Sequence, residues 1–406
     1  MAEAKGSRRF DVVLWGATGF TGALVAEYLA KNYGGGQKLR WALAGRSKEK
    51  LAKVRSTLAA IDPTTSTLPI LIGDSADRPS LDAIARETRV VVSTVGPYSL
   101  YGADLVGACV EAGTDYCDLT GETQFVRRMI DAYHAHAQAT GARIVHCCGF
   151  DSIPSDLGTL MIQTAMRDRR GLAAREVRCL QKSNGFAMSG GTIASVLQST
   201  KEATTDPFVR RVLGDPYSLD PGRKDRPRGQ RDQFGVRWDE DLEQWSGPFF
   251  LATTNARVVM RSNLLLDYVY GRDFVYREAM ATGKGPSGWV TATGVAIGTL
   301  AFFGATAFPP ARWMLEKTVL PEPGEGPSRE ERERGSFTTQ LVAFAGGEGG
   351  EPRTRLFGAV QGMQDPGYGE TAKMLSEAAA CLALDDSISK KGGILTPAGA
   401  MGMRLV

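Results

Sequence analysis

The chain has 406 residues, 43% of them hydrophobic, and a formal net charge of +3 from 48 basic and 45 acidic side chains. This length exceeds what one hydrophobic core usually supports, so we expect two domains. The charge is too balanced for a nucleic-acid-binding protein, which excludes nucleic acid as an expected partner. The first ten residues contain no apolar segment, so we expect neither a secretory signal nor an N-terminal anchor and predict a cytoplasmic protein.

The cysteines and histidines do not form a metal-binding pattern. The six cysteines are scattered without CxxC spacing, and we expect them to be reduced thiols, mostly buried. His134 and His136 stand two apart on a predicted helix and so face different directions, while His146 lies in an apolar strand. We predict no metal site.

Apolar runs of strand length recur through the first 155 residues, with helix-length stretches between several of them. Strands that alternate with helices predict parallel crossovers and a doubly wound sheet covered on both faces. We therefore predict an α/β fold whose first domain, residues 1–155, is a Rossmann-type doubly wound parallel sheet. The predicted strands are 11–15, 40–45, 68–73, 90–95, 115–119 and 143–148, and the predicted helices include 22–31, 80–87, 103–112 and 122–139.

Three glycines spaced three apart stand where the first predicted strand meets the first helix, in GATGFTG. A pyrophosphate needs free N–H groups at a helix N-terminus and no Cβ in its way. We assign Gly16 to the tight turn, Gly19 to the close approach and Gly22 to helix packing. A plain turn without a nucleotide is the alternative. The segment predicted to bind the dinucleotide is Gly16, Ala17, Thr18, Gly19, Phe20, Thr21 and Gly22.

The end of the second predicted strand, WALAGRS, distinguishes the two nicotinamide cofactors. Enzymes that prefer NAD usually place Asp or Glu there, whereas a 2′-phosphate asks for a cation and small donors. Arg46 and Ser47 therefore predict NADP(H), with a solvated surface charge at Arg46 as the alternative. Asp74, which follows the third strand, is predicted to accept a hydrogen bond from the adenine amino group, although Gly-Asp is also ordinary turn chemistry.

Loops after the later strands are expected to face the nicotinamide, because ligands of such sheets lie beyond the carboxyl ends of the strands. These loops are TVGPY (94–98), DLTGE (118–122) and CCGFDSIPSD (147–156). Helix capping explains Glu122 and Asp156 at least as well as catalysis does. The residues of the first loop that we predict to contact the cofactor are Thr94, Val95, Gly96 and Tyr98.

From about residue 175 the pattern changes to strand-like runs and long polar loops. A strand beginning at residue 176 carries Lys182, a candidate to orient a substrate carbonyl, and an exposed strand lysine is the alternative. A helix over 193–200 is predicted to face the cofactor. We divide the chain into a cofactor domain, 1–155, a substrate and dimerisation domain, 156–384, and a C-terminal helix at about 385–406 that packs back on the first domain.

Two segments of the second domain suggest partners. The loop 220–232 carries five basic and three acidic side chains; it is either a solvated loop or a landing site for an acidic acyl-carrier protein or anionic lipid. Residues 289–308 contain no charge and are long enough to cross a bilayer. We favour an apolar, hairpin-like or re-entrant surface that rests on the cytoplasmic face of the plasma membrane or admits an acyl chain. A core helix is the alternative.

Nine short motifs, in this order, together resemble the saccharopine dehydrogenase-like oxidoreductases, in the branch called trans-acting enoyl reductases. The resemblance covers nearly the whole chain. It implies a second α+β domain with a mainly antiparallel sheet, a homodimer formed through that sheet, and NADPH-dependent reduction of an enoyl group on a polyketide or lipid intermediate. The motifs are GATGFTG, LAGR, VGPY, YCDLTGE, GFDSIPSDLG, GGTIAS, PGEGPS, DPGYGETA and GGILTPAGAMG.

The leading hypothesis is an NADPH-dependent reductase of an α,β-unsaturated acyl or polyketide lipid, free or on an acyl-carrier protein. Such a reaction needs an acid to protonate the α-carbon and donors to hold the enolate. The first candidate for this acid is Tyr98, followed by Glu122, Asp151 and Lys182. One alternative is a saccharopine dehydrogenase-like oxidoreductase of amino or oxo acids. The other is a membrane-associated scaffold that binds NADP(H) without turnover.

Overall fold

The computed structural model describes residues 7–184, 190–224, 226–227, 229–318, 326–346 and 353–406. Part of the motif PGEGPS, residues 323–325, lies outside these ranges. The strands are β1 Phe10–Trp15, β2 Trp41–Gly45, β3 Ile70–Ile72, β4 Thr88–Ser93, β5 Asp115–Asp118, β6 Arg143–Val145, β7 Glu176–Asn184, β8 Arg237–Asp239, β9 Gln244–Gly247, β10 Val275–Gly283, β11 Ser336–Ala345, β12 Thr354–Gly362 and β13 Gly393–Leu395.

Helices connect most of these strands. They are α1 Phe20–Tyr33, α2 Lys48–Ala59, α3 Arg78–Glu87, α4 Tyr98–Tyr101, α5 Ala103–Ala112, α6 Thr123–Thr140, α7 Ile153–Arg170, α8 Gly190–Thr205, α9 Pro207–Gly214, α10 Ala252–Leu265, α11 Gly285–Ala307, α12 Pro309–Thr318, α13 Arg329–Arg334, α14 Thr371–Leu384 and α15 Pro397–Met401. Short helical turns lie at Pro63–Thr67, Pro366–Glu370 and Gly402–Arg404.

The first sheet has the strand order β13-β6-β5-β4-β1-β2-β3, and each of its described pairings is parallel. Every residue of β1 is buried because helices cover both faces of the sheet. This confirms the predicted Rossmann-type doubly wound sheet. The last predicted strand ends at Val145 rather than at residue 148, since Cys147 adopts a φ of 65° outside the extended region.

Residues near the C-terminus complete this first sheet, so the prediction of one helix over about 385–406 was wrong: this segment holds strand β13 and the short helix α15. Strand β13 pairs in parallel with β6, and the Ile394 N–H donates to His134 Nδ1 over 3.0 Å. Helix α14 packs against α1 and across β1, β4 and β5. The domain limits at 155 and 384 stay predictions from the sequence. Helix α14 was assigned to the second domain, yet it contacts the parallel sheet of the first.

The second sheet has the order β12-β11-β7-β10-β9-β8, with one parallel pair, β7 and β10, among otherwise antiparallel pairings. This confirms the mainly antiparallel second sheet. Helix α7 packs on β11 and β12, and α10 on β10. On the covered face, the buried carboxyl group of Glu278 accepts hydrogen bonds from Ser155, Gln181, Asn255 and Tyr276.

Helix α11 contains the apolar segment and is continuous over 23 residues. By length and composition it could cross a membrane, with a mean hydropathy of 1.5 over its most apolar 18-residue window. A core helix passes the same test, but only 11% of that window is buried. The helix is therefore a largely exposed apolar surface rather than the core helix that the sequence left open.

Candidate active site

The turn between β1 and α1 has the geometry that a dinucleotide needs. Gly16 has a φ of +91°, which favours glycine, and a Cβ there would stand 2.6 Å from Val95 Cγ2. A Cβ at Gly22 would overlap the carbonyl oxygen of Gly16. The hydroxyl of Thr94 lies 3.2 Å from the carbonyl oxygens of Trp15 and Gly16 and so braces the turn. These contacts match the roles predicted for Gly16 and Gly22.

The outer side of the turn leaves room for a pyrophosphate. A Cβ at Gly19 would meet only the Gly16 carbonyl oxygen, at 3.5 Å, and Thr18 and Gly19 are exposed. Gly19 is the N-cap of α1, and no side chain of the described residues caps that helix, so its first N–H groups remain available to phosphate. The residues present therefore fit NADP(H). Of the neighbouring residues, Ala17 is fully buried, whereas Phe20 packs edge-on against Tyr368.

Arg46 and Ser47 lie at the carboxyl end of β2, where a cofactor 2′-phosphate would lie. Arg46 is exposed and, among the described residues, forms no ion pair. The Ser47 hydroxyl accepts from the Lys50 N–H over 3.2 Å and caps α2, which leaves the hydroxyl proton to donate. Asp74 accepts from the Ala76 N–H over 2.9 Å. This is turn chemistry, and its adenine contact stays a prediction.

A cavity of about 570 Å³ opens beside the cofactor turn, a size typical of small-molecule sites. Near the turn its lining is polar and includes Thr21, Thr94, Glu122, Gln124 and Asp151. Away from the turn the lining is mostly apolar and aromatic, from Leu213, Phe234, Phe249, Phe250, Leu251 and Phe303, although Asp232, Gln233 and Thr299 also line it. The cavity thus joins the cofactor turn to a mostly apolar end at α11.

The carboxylate of Glu122 is held by hydrogen bonds within the protein rather than left free for substrate. Its carboxylate accepts from the N–H groups of Tyr98 and Ser99, over 2.7 and 2.9 Å, and from the Ser195 hydroxyl over 2.8 Å. Burial raises the pKa of Glu122 against the opposing effect of these hydrogen bonds. The carboxylate therefore ties the loop before α4 to α8. It stabilises the N-terminus of α4 rather than that of the helix that follows it in sequence.

Tyr98 is buried, and its hydroxyl donates to the Ser93 carbonyl oxygen over 3.0 Å. Burial raises the pKa of its phenol well above the usual range. Although Tyr98 borders the cavity, its proton already has an acceptor within the protein. The structure therefore brings this residue to the site with its hydroxyl engaged elsewhere.

Asp151 is the predicted acid whose geometry fits proton transfer. It is half-buried, lines the cavity, and a Cβ at Gly121 would stand 3.5 Å from its Oδ2. Within the part of the chain that the structure describes, no hydrogen-bond donor reaches its carboxyl group. Burial raises the pKa of Asp151 from 3.8 to about 6, because the charged form loses solvation without gaining a partner.

Lys182 does not join these residues. It is exposed on β7, opposite Thr338, and is absent from the cavity lining. Its neighbour Gln181 faces the covered side, where its amide donates to Glu278. Successive strand residues face opposite sides, so the same register that buries Gln181 turns Lys182 outward.

The loop 220–232 has fewer basic side chains available to an acidic partner than its composition suggests. Arg226 makes two hydrogen bonds to the Asp215 carboxylate, of 2.9 and 3.0 Å. Arg223 is buried and stacks over Tyr217. Residues 225 and 228 lie outside the described ranges. Arg223 and Arg226 thus serve the protein's own contacts, whereas Arg231 is exposed.

Sequence reasoning missed much of the outer cavity wall. It placed α8 towards the cofactor, and the structure agrees that Gly191, Thr192 and Ser195 line the cavity. It did not find the segment 248–254 or helix α10, because these residues have no motif and no clear period. The run PFFL (248–251) is an apolar signal that would have drawn attention to this wall.

A family model, the saccharopine dehydrogenase NADP-binding domain, matches residues 12–145. A Mycobacterium tuberculosis protein named as a candidate trans-acting enoyl reductase is 43% identical over 410 residues, which cover 98% of this chain and 95% of the relative. The trans-acting enoyl reductase of Mycobacterium bovis is 40% identical with the same coverage. That of Mycobacterium ulcerans is 38% identical.

Among solved structures, yeast saccharopine dehydrogenase covers 95% of this chain and 93% of its own, with a TM-score of 0.48 and 13% identity. An amine dehydrogenase from Mycobacterium smegmatis covers 98% and 97%, with a TM-score of 0.45 and 15% identity. The sequence relatives and the matched domain are decisive. The chain belongs to the saccharopine dehydrogenase-like oxidoreductases, in the family of the trans-acting enoyl reductases, and is an NADP-dependent oxidoreductase.

Proposed function

We propose that this protein reduces the carbon–carbon double bond of an α,β-unsaturated acyl or polyketide lipid intermediate with NADPH. The observation that carries the proposal is the cavity. It runs from the cofactor turn and the carboxyl group of Asp151 to an aromatic end beside the exposed helix α11. An apolar acyl chain fits such a lining better than an amino acid does, because an amino acid would need buried partners for its charges. The names of the relatives support the same reaction.

The protein's share of the chemistry is orientation and proton supply. When bound, the reduced nicotinamide supplies a hydride to the β-carbon of the substrate. Asp151 donates the proton to the α-carbon, because its raised pKa keeps a fraction of the carboxyl group protonated near neutral pH. Gly191, in the first turn of α8, borders the cavity, and its N–H group holds the enolate oxygen.

The test follows NADPH consumption with a trans-2-enoyl thioester, on coenzyme A and on an acyl-carrier protein, and identifies the saturated product by mass spectrometry. We expect Asp151→Asn to lose most of its turnover, by a factor of about 10² or more, and to bind NADPH normally. Tyr98→Phe is the matched comparison and should retain turnover. Loss of turnover in Tyr98→Phe alone would assign the proton to Tyr98, and no reduction by the parent protein would overturn the proposal.

The exposed face of α11 rests on a lipid surface. Ile297 and Leu300 are 64% and 76% exposed, no charged residue lies in the helix, and Trp289 and Trp313 lie exposed near its two ends, as interfacial anchors do. We expect the protein to float with phospholipid vesicles and an Ile297→Asp/Leu300→Asp variant to remain in solution. Equal flotation of both proteins, or none by the parent protein, would contradict the lipid contact.

A further inference from the structure

Two aromatic rings from distant parts of the chain meet at the apolar end of the cavity. Phe250 comes from the segment between β9 and α10, and Phe303 from α11. Their rings are stacked, with centroids 6.1 Å apart and planes 17° apart. Both residues line the cavity, so this stack is part of its wall.

Phe303 also borders an exposed apolar row on α11. It is itself 40% exposed, on a surface that includes the cavity wall. Leu300 and Ile297 precede it by three and six residues on the same helix, a spacing that forms one continuous inclined row, and they are exposed. An apolar strip therefore continues from the stack along the outer surface of α11. A chain that passed between the two rings would find apolar contact on both sides of the wall.

We infer that the Phe250–Phe303 stack is a gate through which a long acyl chain leaves the cavity onto α11, and that Phe303 thereby determines which chain lengths the protein accepts. The inference rests on the proposed function, since it names the tail of the same substrate. Opening the stack loses the stabilisation of one aromatic ring pair. Burial of about two methylene groups of the acyl chain against the outer strip offsets that loss. Short chains end inside the cavity and never meet the gate.

The test compares two Phe→Trp variants over trans-2-enoyl thioesters of increasing chain length. Phe303→Trp fills the gate, so we expect kcat/KM to fall by about tenfold or more for long chains, which lose contact for about two methylenes, and to fall far less for short ones. Phe234→Trp is the matched control, because Phe234 lines the same cavity and is 75% exposed but is not part of the Phe250–Phe303 stack. It should not distinguish chain lengths.

A binding measurement separates this inference from the proposed reaction. Fatty acids of increasing length displace a fluorescent polyene fatty acid from the parent protein and from both variants. If Phe303→Trp loses affinity for long fatty acids but not for short ones, the gate is supported, even where no enoyl thioester is reduced. The absence of reduction would overturn only the proposed reaction. Equal effects at all lengths, length selectivity in Phe234→Trp instead, or no acyl binding by the parent protein would overturn the gate.

Discussion

At the scale of single residues, the protonation of Asp151 controls the proposed proton transfer. Its folded-state pKa, about 6, lies above the ordinary value of 3.8 because burial removes solvation from the charged form and no donor among the described residues replaces it. The protonated form is therefore present below about pH 6 and is lost as the pH rises through that value. Because Asp151 must be protonated to act as the acid, it is most effective below its pKa.

We expect kcat/KM for an enoyl thioester to fall as the pH rises through the pKa of Asp151, about 6. Asp151→Asn should show a low and flat profile, because it has no group that titrates there. The measurement is a pH–rate profile of both proteins at fixed ionic strength. A parent profile that rises across this range would mean that the essential group acts as a base.

Arg46 is predicted to select NADPH over NADH. Its guanidinium is exposed at the carboxyl end of β2, within reach of a 2′-phosphate, and a charge-assisted hydrogen bond contributes about 1.5–3 kcal/mol. Arg46→Ala should weaken NADPH binding about tenfold to a hundredfold and leave NADH binding unchanged. Fluorescence titrations with both cofactors test this, with Lys53→Ala on the exposed face of α2 as control. An equal loss for both cofactors would refute the assignment of Arg46 to the 2′-phosphate.

At the scale of elements, the contact between α1 and the turn before it holds the cofactor corner together. Gly22 lies in α1 directly against the Gly16 carbonyl group, so the helix can approach the turn only without a side chain there. The alignment of the first N–H groups of α1 depends on this approach. The same close packing thus serves folding and cofactor binding.

We expect Gly22→Ala to lower the free energy of unfolding by about 1–3 kcal/mol through overpacking and to weaken NADPH binding, because the turn must move. Gly294→Ala in α11 is the control, since its Cβ would meet open space, and alanine favours a helix by up to about 1 kcal/mol. Urea unfolding and NADPH titration measure both effects. A Gly22→Ala protein of unchanged stability would contradict the contact.

At the scale of the whole molecule, a buried ion pair joins the parallel sheet to the C-terminal segment. Arg143 pairs with Asp115 between β6 and β5, with side chains 7% and 2% exposed. The Arg143 guanidinium also donates to the carbonyl oxygens of Leu382, over 2.8 Å, and of Ser389, over 3.3 Å. This one side chain therefore holds the end of α14 and the approach to β13.

Arg143→Ala breaks this buried ion pair and also removes the hydrogen bonds to two carbonyl oxygens, so it should cost about 3–5 kcal/mol of stability. Arg9→Ala breaks the exposed pair with Glu87 and should change stability by at most about 1 kcal/mol. Urea unfolding at neutral pH measures both free energies. Equal losses of unfolding free energy in the two variants would mean that the buried Arg143 pair stabilises the protein no more than an exposed pair does.

Local patterns in the sequence determined the first sheet and its cofactor corner. The strands near the cofactor were predictable because fully buried parallel strands read as continuous apolar runs. Gly16 and Gly22 were predictable because a strand, a turn and a helix lie next to each other in sequence. The cofactor followed from Arg46 and Ser47, two neighbours at one strand end, and the matched NADP-binding domain confirms it. The order of short motifs was enough to identify the family.

Tertiary structure alone decided the rest, since it depends on contacts between distant residues. Tyr98 and Asp151 both looked like acids in loops, and only packing gave the Tyr98 hydroxyl a backbone acceptor while leaving the Asp151 carboxyl group without a donor among the described residues. Strand register turned Lys182 away from the site. The stack of Phe250 on Phe303 joins residues 53 positions apart. Burial and partners, which determine pKa and access, are properties of the folded neighbourhood rather than of any short segment.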